Sequence, residues 1–328
     1  MVLGHDITRI VAGDFKGPAF RKGHVVQDED IPMLLDLGKE QLYVLELEKG
    51  ILHENEAAKR IAAAAVGKGL VLTEPVEGKI NLKATCQGLL KVDVQGLTRI
   101  NTQENIMFAT LHTNQEVHGD QNCGGTRIIP LVIAEERIRE VEAICGQHFP
   151  VIEIKPFTAC RIGLVTTGSE VYHGRIKDQF SPIVQAKFES LGSKVMRQIT
   201  VSDDQELTVQ AIKDLIREGA DFIAVTGGMS VDPDDRTPAA IRATGARVVT
   251  YGAPILPGAM FMLAYLGDVP IVGLPGCVMY FRASVFDLIV PRLLAGESVT
   301  REDIASMGHG GLCASCPDCR YPVCPFGK

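Results

Sequence analysis

From residue 160 onward, apolar runs and amphipathic stretches alternate along the chain with a regular beat. The runs Arg161-Ile162-Gly163-Leu164-Val165 and Asp221-Phe222-Ile223-Ala224-Val225 are nearly continuous and rich in β-branched residues. Such runs read as strands covered on both faces, the habit of parallel strands joined by helical crossovers. The pattern predicts strands at 160–166, 194–200, 221–226, 246–250 and 269–274, and helices at 180–191, 204–218, 237–244 and 278–294. Leu207, Ala211, Leu215 and Ile216 fall on one face of the second helix, and Pro182 falls near the first turn of the first, where proline is tolerated. The earlier half is less regular. It predicts turn and strand at 17–26, a helix at 28–37 stopped by Gly38, a strand at 41–47, and an alanine-rich helix at 56–66 with Asn55 as its cap. Short strands with Gly and Asn turns follow from 70 to 130, interrupted by one helix at 96–109. A helix at 134–145 then leads to a linker marked by Pro150 and Pro156, and 297–307 reads as a second, polar linker.

These elements predict a three-layer α/β/α fold with a mostly parallel sheet, preceded by a smaller α+β region. The segments are 1–50, 51–155, the α/β domain at 156–296, and a cysteine-rich tail at 297–328. A length of 328 residues suits two or three compact units, and 46% hydrophobic residues can fill their cores. The net charge of −7, without any Lys/Arg block, argues against a nucleic-acid partner. The first residues lack a basic-then-apolar leader, and the uncharged stretch 252–267 is interrupted by Pro254 and Pro257. The expectation is a cytoplasmic protein with no membrane partner. Cys86, Cys123, Cys145, Cys160 and Cys277 are scattered like reduced thiols. His112, His118 and Cys123 lack ligand-type spacing and read as a surface loop, whereas His173 is placed near the first glycine turn.

Candidate chemistry gathers where predicted strands end. Thr166-Thr167-Gly168-Ser169-Glu170 follows one strand, Thr226-Gly227-Gly228-Met229-Ser230 another, and Pro275-Gly276 a third. In open parallel sheets, ligands occupy the carboxyl ends of strands. Glycine turns let backbone approach a ligand, and their amides, here those of Gly168, Gly227 and Gly228, bind anions. A phosphate is the natural guest; tight turns without a ligand are the alternative. Glu170, Asp178, Asp203, Asp204, Asp232, Asp234 and Asp235 share this edge. They could hold Mg²⁺ between protein and phosphate, or serve as helix caps, Asp203 or Asp204 for the helix at 204–218. Asp235, between the Gly-Gly turn and Thr237, is the candidate for metal contact or for orienting water.

The succession TTGSE, an Asp-Asp pair before the second helix, TGGMSVDPDDRT and Leu274-Pro275-Gly276 resembles the molybdopterin-binding domain over residues 156–296. That domain is shared by molybdenum insertases, molybdopterin adenylyltransferases and competence-damage-inducible proteins. The resemblance implies an α/β fold that binds the phosphate of molybdopterin, or its adenylylated form. It assigns cofactor binding to Thr167, Gly168, Glu170, Thr226, Gly227, Gly228, Ser230, Asp235, Pro275, Gly276 and Cys277. Asp235 matches the acidic residue at the reacting phosphate, and is thereby the catalytic candidate. Residues 19–38 are similar to the insertase branch. The implied activity is molybdate insertion with Mg²⁺-dependent AMP release; the alternative is a non-catalytic carrier or redox sensor that serves a molybdoenzyme. Self-association into a homo-oligomer is implied by resemblance alone. Two departures stand out. Leu256-Pro257-Gly258-Ala259-Met260 replaces the insertases' Lys-Pro-Gly-Lys-Pro, and Leu274-Pro275-Gly276-Cys277-Val278 replaces Leu-Pro-Gly-Asn-Pro. Cys277 thus falls at a helix N-terminus, where it is either a thiolate favoured by the dipole or a buried inert thiol.

The tail holds Cys313, Cys316, Cys319 and Cys324 within its last sixteen residues. Four thiolates satisfy either Zn²⁺ or an iron–sulfur cluster, and the C-x₂-C-x₂-C run leans toward the cluster. His309 is a substitute ligand, and a disordered tail of unligated thiols is the alternative reading.

Overall fold

The computed structural model describes residues 3–11, 15–24, 26–42, 49–230, 232 and 235–328. The strand predicted over 41–47 falls almost wholly outside these residues, as does Asp234. The chain forms two compact units. One comprises Met1–Thr85, Lys91–Leu111 and Gly119–Ile154; the other comprises Cys86–Leu90, His112–His118 and Lys155–Lys328. Among the described residues no helix is long and apolar enough to cross a membrane.

The first unit is α+β. Its main sheet is antiparallel, in the order Leu70–Leu72, Ile80–Ala84, Asn122–Ile128, Ile106–Thr110. The alanine-rich helix runs over Glu54–Ala65 and buries Ala57, Ala58, Ile61, Ala62 and Ala65. Its cap is His53, whose ring accepts the Asn55 amide at 3.2 Å, while the Asn55 side chain accepts from the Gly78 amide. The expected cap is thus two residues too late. Arg60 on the same helix bridges Glu135 and Glu142 of helix Glu135–Gln147 at 2.8–2.9 Å. The helix expected over 96–109 is only Val94–Asn101. Asn101 turns back to bond Phe108 through both amide atoms, and Ile106–Thr110 becomes a strand. Residues Ile152–Pro156, expected to be linker, are also strand. Cys123 lies inside strand Asn122–Ile128 at 1% exposure, not in a surface loop.

The second unit carries the α/β beat. Its elements are β1 (Arg161–Thr167), α1 (Ser169–Tyr172), α2 (Phe180–Ser190), β2 (Lys194–Val201), α3 (Gln205–Arg217), β3 (Phe222–Thr226), α4 (Thr237–Ala243), β4 (Arg247–Tyr251), β5 (Met262–Leu266), β6 (Val269–Leu274), α5 (Cys277–Tyr280), α6 (Val285–Leu294) and α7 (Arg301–Ser306). The six strands lie in the order β2-β1-β3-β6-β5-β4. The first four are mutually parallel, and β5 and β4 complete the sheet antiparallel. Alternate side chains face opposite layers, as the pleat requires. Ile162, Leu164, Phe222, Ala224, Val272 and Leu274 join the core beneath α2 and α6, while Val165, Ile223, Val225 and Ile271 join that beneath α3 and α4. The three layers and the mostly parallel sheet are as expected. β5 was hidden in the weakly polar stretch 252–267.

Two further departures have local causes. The helix expected over 278–294 is two, because Ser284 starts a new one. Its hydroxyl accepts the Phe286 amide, and Asp287 returns a bond to the Ser284 amide at 2.8 Å. The linker expected over 297–307 contains α7, capped in the same way by Thr300 and Asp303. Arg292, at 8% exposure, bonds Glu297 at 2.8 Å and Asp303 at 3.0 Å, so α7 is fastened to α6.

Gly163 in β1 lets α3 approach: a Cβ there would stand 2.7 Å from Ile223 Cδ1 and 2.9 Å from Leu215 Cβ. Gly163→Val is expected to lower unfolding stability by about 1–3 kcal/mol, read by urea denaturation, through overpacking of this seam. A second expectation concerns pH. Burial pushes the Asp303 carboxyl up, but hydrogen bonds from Thr300 and the Arg292 guanidinium outweigh it and hold the group at about 2, below its ordinary 3.8. Its contribution is therefore present above pH 3.8 and lost as pH falls toward about 2. In urea titrations, the stability gap between the native protein and Asp303→Asn should be full at neutral pH and shrink across that window.

Candidate ligand crevice at the carboxyl edge of the sheet

β1, β3 and β6 are neighbours in register, Thr166 opposite Thr226 and Thr226 opposite Leu274, so their three following turns meet on one edge. Side-chain hydroxyls tie these ends together. Thr166 stands 2.8 Å from the Ser181 hydroxyl and accepts from Gln198 at 2.9 Å. Thr167 Oγ1 lies 3.3 Å from both the Thr237 hydroxyl and the Thr226 carbonyl, and Thr237 Oγ1 donates to the Gly227 carbonyl at 2.9 Å. All five residues Thr166, Thr167, Ser181, Thr226 and Thr237 are buried, and each finds a partner.

Gly227 has φ +85°, and a Cβ there would collide with the Thr167 carbonyl. Only glycine fits this crossing of two turns. Among the described residues, the Gly227 and Gly228 amides donate to no group. The first turn differs. The Gly168 amide donates to the Val201 carbonyl at 3.2 Å and the Ser169 amide to Asp203 at 2.8 Å. Of these two turns, the one after β3 is the one whose glycine amides have no partner among the described residues.

Two adjoining cavities, of about 490 and 410 Å³, open here and share Phe180 and Gly227 in their walls. Gly227, Gly228, Ser230, Asp235, Pro275, Gly276 and Cys277 line the larger one. Thr167, Glu170, Thr226 and Gly227 line the smaller. Gly168, at the start of α1, is behind the wall rather than in it. Apart from Gly168, the residues picked from the glycine motifs thus line one or other of these two adjoining cavities. His173 is exposed against Tyr172 and lines neither cavity.

The acidic residues separate into caps and wall. Asp204 accepts the Leu207 amide and caps α3, whereas Asp203 holds the start of α1. Asp178 accepts the Phe180 and Ser181 amides at 3.0 Å each. Burial raises its carboxyl, but bonds from Ser181, Gln198 and Phe180 prevail and leave it below the ordinary range. Asp235 is half-buried in the wall of the larger cavity, where one of its oxygens accepts the Asp232 amide at 3.3 Å. Burial pushes the Cys277 thiol up, against the thiolate that a helix N-terminus would favour, so the inert-thiol reading is the one this environment supports.

Several wall residues carry no motif signal. Phe180 lines both cavities, and among the described residues Lys177 is the one Lys or Arg in either wall. A lysine directly before Asp178 in the loop into α2 was the only available hint. Residues 256–260 complete the larger cavity with Leu, Pro, Gly, Ala and Met, bare of charge. Among the described residues, no three or more His, Cys, Asp or Glu side chains are gathered so as to hold a metal ion. The tail cysteines are free thiols, and all four line one separate cavity of about 190 Å³. His309 is not in its wall.

Residues 163–295 match a family described as "Probable molybdopterin binding domain", and residues 1–46 match a domain of unknown function. The chain is 26% identical over 197 residues to the molybdopterin molybdenumtransferase of Bacillus subtilis, covering 55% of this chain and 43% of that protein. It is 37% identical over 89 residues to a CinA-like protein of Syntrophus aciditrophicus, covering 27% of this chain and 21% of that one. The chain thus spans less than half the length of these curated relatives. The crystal structure of the molybdopterin biosynthesis enzyme MoaB from Thermus thermophilus aligns at 20% identity and a TM-score of 0.33, over 42% of this chain and 98% of that one. Residues 163–295, with their glycine turns and crevice, belong to the molybdopterin-binding domain family.

Proposed function

We propose that the crevice binds adenylylated molybdopterin as substrate and that the protein exchanges the adenylate for molybdate; its Bacillus relative carries the name molybdopterin molybdenumtransferase. The observation that carries this reading is the placement of Asp235 in the same wall as Gly227 and Gly228, whose amides have no partner among the described residues. Those amides and the Lys177 ammonium supply the positive potential that phosphates need. Mg²⁺ is commonly held by one or two carboxylates together with substrate phosphates rather than by an all-protein cage. Asp235 is the side chain that would share it, and the ion would polarise the phosphate that reacts with water or molybdate.

A second reading, a carrier without turnover, draws on the uncharged wall at 256–260, which gives molybdate no cation to settle on. AMP release decides between the two. Adenylylated molybdopterin incubated anaerobically with the protein, Mg²⁺ and molybdate should yield molybdate-dependent AMP, and Asp235→Asn should slow it about 100-fold. Tight pterin binding with no AMP release would remove the enzyme and leave the carrier. Lys177→Ala should weaken pterin binding about tenfold by calorimetry, the loss of one charge-assisted contact to phosphate. An unchanged affinity would take Lys177 out of the site.

A further inference from the structure

The four-cysteine segment is a folded lobe. Leu256 and Leu312 form a parallel bridge: the Leu256 amide donates to Gly311 at 2.8 Å, and the Cys313 amide returns to Leu256 at 2.8 Å. The Gly327 amide closes the far end on the Gly310 carbonyl at 2.9 Å. Phe326 enters the main core at 3% exposure. Pro291 inside α6 cannot donate to the carbonyl of Asp287 four residues back, and the Tyr321 hydroxyl supplies that bond at 2.9 Å. The lobe therefore completes a bond that the helix lacks.

Inside this lobe, Cys313, Cys316, Cys319 and Cys324 line one cavity of about 190 Å³. A single Zn²⁺, with Zn–S bonds near ~2.3 Å, would draw its four sulfurs to within about 4 Å of one another. No such gathering occurs among the described residues. Thiolates on a cluster stand instead at the corners of a cage of iron and sulfide, so they surround a void rather than converge on a point. The void here is several times the roughly 30 Å³ share of one water. Arg282 and Arg320 also line it, and Lys328 lies close enough to Cys324 for their charges to interact. These cations suit the net negative charge of a cluster with four thiolate ligands.

From this geometry we infer that Cys313, Cys316, Cys319 and Cys324 ligate a [4Fe–4S] cluster, and that the cluster, through the Leu256 bridge, stiffens residues 256–260 of the crevice wall. The site does not depend on what the crevice binds. The full chain, purified anaerobically and supplied with equal amounts of ferrous and ferric iron, the valence balance of a [4Fe–4S]²⁺ core, and with sulfide, should take up about four iron and about four acid-labile sulfides per chain. Broad visible absorption should appear and bleach on reduction. Cys319→Ser should lose the absorption and most of the iron, while Cys86→Ser, outside the lobe, should retain both. If Cys319→Ser fails to fold, judged by circular dichroism, the exposed Cys316 replaced by Ser provides the same comparison. One zinc per chain without sulfide, or iron uptake indifferent to both lobe substitutions, would overturn the cluster. Amide hydrogen exchange at Leu256 and Cys313 should slow on cluster assembly, and unchanged exchange in loaded protein would overturn the stiffening.

Discussion

The carboxyl edge of the sheet depends on one close crossing, that of the Gly227 backbone against the Thr167 carbonyl. Two strand ends can meet this tightly only if neither side chain intervenes and every polar group they bury is bonded. The buried hydroxyls of Thr167, Thr226 and Thr237 meet the second condition across three separate elements. With the ends locked together, the chain beyond Thr226 turns at Gly227 and Gly228, which both line the crevice. The crossing is thus what fixes both glycines in the wall of the crevice.

Charge is distributed unevenly around that site. The first turn uses its amides internally, on Val201 and Asp203, and so contributes shape more than binding. The carboxylates of Asp178 and Asp204 are occupied as caps and do not compete for the ligand. What remains among the described residues is Asp235 on one cavity and Glu170 with Lys177 on the other, and Phe180 stands in both walls.

Legibility in the sequence followed the reach of the forces involved. Strands β1, β3 and β6 are readable because burial on both faces leaves an unbroken apolar run, and the turns after them because only glycine fits there. The twin helices α5 and α6 read as one, since Ser284 signals a cap only through its bond with Asp287. α7 reads as linker because its apolar content is slight and its anchor, Arg292, comes from another helix. His53 as a cap was equally hidden, for Asn55 is the commoner choice and was already engaged with Gly78. Lys177 was missed for a different reason: its place in the wall is set by where Gly227 lies, 50 residues onward in the sequence.

Residues 256–260 give the larger cavity its apolar wall, and the first of them pairs with the cysteine lobe. A wall with lysines could hold an anion by charge alone and would tolerate some movement. An uncharged wall can contribute only shape, and shape is useful only if it is fixed. The backbone ladder from Leu256 to Leu312, the Tyr321 bond to Asp287 and the burial of Phe326 supply that fixity from the lobe side. The uncharged wall and the ordered lobe are thus joined at Leu256, so that order in the lobe reaches the wall through the backbone.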